Sequence, residues 1–372
     1  MKYKKILVTG GAGFIGSFLT DKLIELGYTV RILDSLDEQV HHGRKPAYLN
    51  PDAEFIYADV RDRKVSARAL AGVDAVFHLA SKVGVAQSNY EIREYADVNV
   101  NGTANLIDII VDGKLPIQKI IMTASMTSYG EGLYECINCG RVKPLLREKT
   151  QMKRNDWELH CLNCHKAMIP VPTPEDTKLA NNSMYSLTKN VQEQMLMLMG
   201  KMYGIPAVSL RCFNVYGPRQ SLSNPYTGVA AIFISRLKNN QPPVVYEDGR
   251  QTRDLVSVHD VVGALIRAMI SDKADYESVN IGSGKSTSII ALAELLAGLL
   301  RKEIKPLVRS EYRVNDIRHC YADIIKARTL LGWSPQVALK DGLAELIRWS
   351  EGQHARDSYE QAEKELRERK LL

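Results

Sequence analysis

The feature that most constrains the fold is a glycine-rich run near the N-terminus, Thr9-Gly10-Gly11-Ala12-Gly13-Phe14-Ile15-Gly16. It follows an apolar segment, Ile6-Leu7-Val8, that reads as a buried strand. It opens a stretch from Phe14 to Leu26 that reads as a helix ended by Gly27. Alone, such a run is an ordinary turn. Between a strand and a helix, Gly10, Gly13 and Gly16 allow a tight turn and close approach of backbone to a pyrophosphate at the helix N-terminus. Gly10, Gly13, Phe14, Ile15 and Gly16 are therefore candidate dinucleotide contacts. Asp34 closes the next strand, Thr29 to Leu33, where a carboxylate can bind both ribose hydroxyls and repel a 2′-phosphate. That favours NAD over NADP. Asp59 and Val60, after the strand Glu54 to Tyr57, are candidates to meet the adenine.

Strand and helix patterns then alternate. Strands are expected at Ala75 to Leu79 and Lys119 to Met122, with helices near Val65 to Leu70 and Asn99 to Val111. This predicts an α/β fold: a doubly wound parallel-sheet (Rossmann) lobe covered by helices on both faces. The pattern breaks over 131–174, a polar, Cys-rich stretch ending in Pro170, Pro172 and Pro174, read as an insertion with its own small fold. It resumes with a helix from about Ser183 to Tyr203 and a strand at Ala207 to Arg211. We thus expect a dinucleotide lobe over 1–214, interrupted by the insertion. A smaller substrate lobe follows over 215–352, with segments near 254–280 returning to the first lobe. Residues 353–372 are a charged tail, in which Ala355 to Arg369 are expected to form a frayed or exposed helix.

The 372 residues are 45% hydrophobic and 25% charged, as in ordinary globular proteins. The formal charge of +6 is spread along the chain without basic runs interleaved with aromatics, which argues against nucleic acid as a partner. With no signal peptide and no membrane-length apolar run, the expected location is the cytoplasm. In that reducing setting, six cysteines suggest metal or chemistry rather than disulfides.

Four of them form two pairs, Cys136/Cys139 and Cys161/Cys164, separated by residues 140 to 160. The pattern fits a four-thiolate zinc site, structural because it leaves no open position for water. A redox dithiol pair or an iron site are the other readings, and His160 and His165 are alternative ligands. Cys212 and Cys320 read as packing residues. The insertion lies between Ser125 and Tyr185-Ser186-Leu187-Thr188-Lys189. A Tyr and a Lys four apart share one helix face, so the ammonium can favour the phenolate and yield a proton acceptor near neutral pH.

Taken together, these motifs resemble the extended short-chain dehydrogenase/reductase family, in particular its nucleotide-sugar epimerases. The resemblance covers nearly the whole chain outside the insertion. It rests on the glycine run, Ala58 to Asp62, His78-Leu79-Ala80-Ser81, Asn99 to Thr103, Ser125 to Gly130, Tyr185 to Lys189 and Arg211 to Pro218, and on later motifs at Arg253 to Asp260, Asn280 to Gly284 and Arg313 to Asp316. It implies that Tyr185 is the general base and acid, that Lys189 binds the nicotinamide ribose and depresses the Tyr185 pKa, and that Ser125 bonds the sugar oxygen. Leu79, Ala80, Ser81 and Asn99 join the cofactor contacts. Thr127, Asn214, Arg219, Arg253, Arg313 and Asp316 face the substrate.

Relatives that dehydrate sugars carry Asp-Glu after the Ser or Thr. Here Met126 and Thr127 stand there, so dehydration is not expected. The implied reaction is 4-epimerisation through a transient 4-keto sugar, a step of carbohydrate biosynthesis. The expected conversion is of dTDP-L-rhamnose to dTDP-6-deoxy-L-talose. UDP-glucose and UDP-N-acetylglucosamine are alternative substrates, and net 4-keto sugar reduction or a non-catalytic dinucleotide sensor are alternative functions. The resemblance also implies a homodimer packed through paired helices.

Overall fold

The computed structural model of the protein describes residues 2–372. The first lobe is built on strands β1 (Lys5–Thr9), β2 (Thr29–Asp34), β3 (Glu54–Tyr57), β4 (Ala75–His78) and β5 (Lys119–Ser125). The linking helices are α1 (Phe14–Glu25), α2 (Arg63–Leu70) and α3 (Gly102–Asp112), the last entered through a π-helical turn at Ala96–Asn101. The insertion contributes three short strands, β6 (Leu133–Cys136), β7 (Gly140–Val142) and β8 (Ile169–Val171), paired antiparallel in the order β7-β6-β8. The chain rejoins the lobe with α4 (Met184–Tyr203) and β9 (Ala207–Cys212), leaves through α5 (Val229–Lys238), and returns as α6 (Val258–Ile270) and β10 (Glu277–Ile281). It ends with α7 (Ile289–Leu299), α8 (Leu339–Glu351) and α9 (Tyr359–Glu368).

The main sheet has seven parallel strands in the order β10-β9-β5-β4-β1-β2-β3. Its central strands are buried on both faces, which explains runs such as Ile6-Leu7-Val8 and Ile120-Ile121-Met122 in place of alternation. Helices α1 and α6 cover one face and α2, α3 and α4 the other, each over its own apolar cluster. The strand order reverses between β1 and β4, so a crevice opens beyond their C-terminal ends, where Gly10 and Leu79 begin the following loops. A third apolar cluster, with Phe233, Leu292 and Leu346, forms the core of the second lobe.

Helix α4 is locally well specified. Ser183 Oγ accepts from Ser186 N at 3.1 Å, Ser183 N donates to Ser186 Oγ at 3.0 Å, and Gly204 ends the helix at φ +68°. The charged tail corrects the expectation of a frayed end. Within α9, Tyr359, Ala362 and Leu366 are buried, because they recur on one helix face and that face covers the second lobe. Among the described residues no helix is long and apolar enough to cross a membrane.

Candidate active site

One cavity of about 650 Å³ runs between the lobes. The glycine loop forms one end of it. Gly10 lies at φ +70°, and a Cβ there would sit 2.8 Å from Ala80 N; a Cβ on Gly16 would sit 2.2 Å from Gly10 O. No side chain fits either position, so bare backbone faces the cavity together with the first N–H groups of α1, which lack intrahelical partners. Asp34 is fixed by backbone: Oδ2 accepts from Ala12 N at 2.9 Å and Oδ1 from Leu36 N at 2.8 Å. Each oxygen keeps a lone pair for a hydroxyl. Asp59, Val60, Leu79, Ala80 and Ser81 line the same end. Beneath the loop, His78 joins Thr9 Oγ1 at 2.8 Å and Thr103 Oγ1 at 2.9 Å, and burial pushes its pKa down to about 3. This imidazole is a neutral strut. Asn99 does not reach the cavity. It is fully buried and ties Lys82 N (2.7 Å) to Thr188 Oγ1 (3.0 Å), so it joins the loop after β4 to α4.

The middle of the cavity is where β5 ends and α4 begins, and Ser125, Thr127, Tyr185 and Lys189 all line it. Ser125 Oγ accepts from Thr127 N at 3.2 Å and from Thr127 Oγ1 at 2.9 Å, which leaves its own proton free to donate. Tyr185 N donates to Ser88 Oγ at 2.9 Å, and the Tyr185 ring meets Tyr95 edge-on at 6.5 Å. Lys189 is 3% exposed.

The electrostatics depart from the expectation that Lys189 depresses the Tyr185 pKa. Burial dominates at Tyr185 and pushes it up to about 12, the Ser125 hydroxyl working the other way. Lys189 is itself brought down to about 8, first by burial. Desolvation penalises both charged forms. Cys212, opposite Ser125 in the β5–β9 register, also lines this region, and burial raises its thiol to about 12.

The far end carries the arginines. Arg253 pairs with Asp316 at 2.9 Å, and the Arg313 guanidinium lies 4.6 Å from the centre of the Tyr246 ring. Arg219 stands apart from these two. It pairs with Asp21 of α1 at 2.7 Å and covers Phe18 at 4.2 Å, so it belongs to the glycine-loop side. Several buried polar atoms of residues that line the cavity lack a protein partner, Asn214 Oδ1, Gln251 Oε1 and Arg313 Nε among them, as expected of a wall made to meet a polar ligand. The tail completes this end with Tyr359, Glu363 and Leu366. Sequence reading missed that wall. It also missed a buried ion network around Arg318, whose side chain is 0% exposed and pairs with Glu247 at 2.9 Å. The amphipathic spacing of Tyr359, Ala362 and Leu366 was the available signal for the first. The second joins residues too far apart in sequence to leave a local pattern.

Within the insertion, the sulfurs of Cys136, Cys139, Cys161 and Cys164 lie within 4.8 Å of one another. The Cys136 and Cys164 sulfurs are 3.4 Å apart, far beyond a disulfide bond. His160 is turned away to Asp156 at 3.0 Å. The donor set is thus four converging thiols.

The family described as "NAD dependent epimerase/dehydratase family" matches residues 6–153 and 162–282. The dTDP-L-rhamnose 4-epimerase of Burkholderia thailandensis is 35% identical over 350 residues, covering 93% of this chain and 94% of that protein. Among solved structures, the UDP-glucose 4-epimerase of Thermotoga maritima with UDP-glucose is 31% identical with a TM-score of 0.77, covering 93% of this chain and 98% of that one. The UDP-glucuronic acid 4-epimerase of Bacillus cereus, in complex with UDP-glucuronic acid and NAD, is 26% identical with a TM-score of 0.76, covering 93% and 99%.

Proposed function

The chain belongs to the NAD-dependent epimerase/dehydratase family, and on that premise we propose that it is an isomerase, an NAD-dependent nucleotide-sugar 4-epimerase. The observation that carries this reading is the meeting of Ser125, Tyr185 and Lys189 in one cavity that a bare-backbone cradle and the arginines Arg253 and Arg313 also line. The cradle suits a dinucleotide. Gly10, Gly13, Phe14, Ile15 and Gly16 would hold its pyrophosphate and Asp34 its adenosine ribose, where the carboxylate disfavours a 2′-phosphate.

Bound NAD would supply the acceptor and donor for the C4 hydride. The chain supplies the rest. Tyr185 takes the proton of the C4 hydroxyl and later returns it, Ser125 donates to the sugar oxygen, and Lys189 sits one helical turn from Tyr185 to bind the ribose. Arg253 and Arg313 suit a diphosphate, since a guanidinium offers a planar fork of donors. Met126 and Thr127 offer no acid and base for removal of water. The sugar must turn over within the site so that both faces of C4 are served in succession.

The preferred conversion is of dTDP-L-rhamnose to dTDP-6-deoxy-L-talose, supported by the 35% identity over nearly the full length to an enzyme of that name. UDP-sugar epimerisation is the second reading, supported by the likeness to the UDP-glucose 4-epimerase. Incubating the purified protein without added NAD with dTDP-L-rhamnose, UDP-glucose and UDP-N-acetylglucosamine in turn, and following the sugars by NMR, decides between them. The C4 epimer of dTDP-L-rhamnose alone is expected. A reduced product that needs stoichiometric NADH identifies a reductase instead.

The four thiols fit one structural zinc ion. Metal analysis of fresh protein should find about one equivalent per chain; less than half rejects it. Exposed Leu187, Leu198 and Met202 share one face of α4 and support dimerisation through that helix, which light scattering checks.

A further inference from the structure

The loop that carries Arg313 and Asp316 has two faces. One lines the cavity through Arg313, Val314, Asn315 and Asp316. The other lies against the insertion, where Trp157 meets Tyr312 at 6.4 Å between ring centres. Three guanidinium-to-carbonyl bonds hold the loop at consecutive residues. Arg147, from the insertion, donates to Asp316 O at 3.1 Å; Arg253, from the second lobe, donates to Ile317 O at 2.9 Å and Arg318 O at 3.2 Å.

Arg147 is fixed in turn. Its side chain is 2% exposed, and it meets both carboxylate oxygens of Glu247 at 2.9 Å. Two more insertion residues grip the end of the loop. Glu158 accepts from Arg318 at 2.6 Å, and Glu131 accepts from the backbone N–H groups of Arg318 (2.7 Å) and His319 (3.2 Å). A rigid insertion thus fixes one side of a segment whose other side faces the ligand.

We propose that the four-cysteine insertion serves the reaction by setting the position of this loop, with Arg147 and Glu158 as positioning residues for Arg313 and Asp316. The inference rests on the epimerase reading and extends it. Neither residue lines the cavity, so neither touches the sugar; Arg147 acts through the Asp316 carbonyl and Glu158 through the Arg318 guanidinium. A lysine at 147 keeps the charge but cannot span Glu247 and the Asp316 carbonyl with a rigid fork.

The test is Arg147→Lys in the full-length protein with its cofactor. The KM for the nucleotide sugar should rise about tenfold with kcat within about threefold, since uniform binding and not chemistry is lost. Affinity for free dTDP or UDP, measured by calorimetry, should fall by the same factor. Amide hydrogen exchange should quicken at residues 314–319 and stay unchanged over β1 and α1. KM, nucleotide affinity and exchange all within about twofold of wild type overturn the proposal, as does a fall in kcat with loss of bound NAD at unchanged KM.

If Arg147→Lys does not fold, Glu158→Gln decides, because that carboxylate is 44% exposed and its loss is tolerable. A rise in KM of about threefold is expected, and none overturns the proposal. If the wild-type protein neither binds nucleotide nor epimerises any of the sugars, the functional reading has failed, and the exchange experiment still judges the positioning role by itself.

Discussion

At the glycine-loop end, Gly10 and Gly16 bring bare backbone to the cavity, and neutral hydrogen bonds between His78 and both Thr9 and Thr103 brace it from below. At the other end, Arg147, Arg253 and Arg318 hold the wall through ion pairs with Glu247, Asp316 and Glu158, drawn from the insertion and the second lobe. The difference follows from what each end has to meet. In the proposed reaction the cofactor's pyrophosphate stays bound, and it needs only fixed N–H groups, which a short local segment provides. A diphosphate that enters and leaves needs cations. Buried cations must be paired, and here the partners come from distant parts of the chain. The glycine loop itself is built within one β-α unit; the arginine wall exists only once the insertion and the second lobe are assembled.

The comparison breaks most visibly where the two ends meet. Tyr185→Phe removes the one group placed to move the C4 proton while leaving both ends intact. Its kcat should fall by about a thousandfold or more with KM within a few-fold and NAD still bound, as assayed by turnover and by cofactor release. Near wild-type turnover would remove Tyr185 from the mechanism.

Acid should separate the ends next. The folded-state pKa of His78 is about 3 against 6.5 for a free imidazole. Between those values the unfolded chain binds a proton that the folded chain refuses. The contribution of His78 is therefore full above pH 6.5 and declines as the pH falls toward 3. From pH 7 to 5 the loss should be about 2 kcal/mol in denaturant unfolding. His78→Gln, which keeps a donor and an acceptor, should lower overall stability but flatten this slope. An unchanged slope would mean that acid acts elsewhere.

The smallest effect is expected at the tail. Glu365 accepts from Tyr226 at 2.8 Å and from Tyr90 at 3.0 Å, and so joins α9 to both lobes. Glu365→Gln should weaken that junction by about 1 kcal/mol and raise the substrate KM a few-fold without loss of NAD. Release of NAD from this variant would show that the tail serves the glycine-loop end as well.

The same difference decides what could be read from sequence. The cradle was legible because turn, strand and helix are local, and Gly16 is required by backbone contact with Gly10 inside that unit. The pairing of Tyr185 with Lys189 was legible as helical spacing, and both side chains do line the cavity. Its electrostatics were not, because the pKa of Tyr185 depends on burial and burial is a property of the assembled fold. Asn99 was read as a cofactor contact, yet it supports a loop from within the core. Arg318 carried no local sign of burial, since Glu158 and Glu247 lie 160 and 71 positions away. The charge of the tail concealed an apolar face of three residues, Tyr359, Ala362 and Leu366.

The central claim is that one hydride leaves C4 and returns to it within the same site. The most direct test is turnover of dTDP-L-rhamnose carrying deuterium at C4, with purified protein and no added cofactor. The account predicts an epimer that keeps its deuterium at C4 through many turnovers per chain. An epimer that has exchanged its label with solvent, or no epimer unless NADH is supplied in stoichiometric amount, would contradict it.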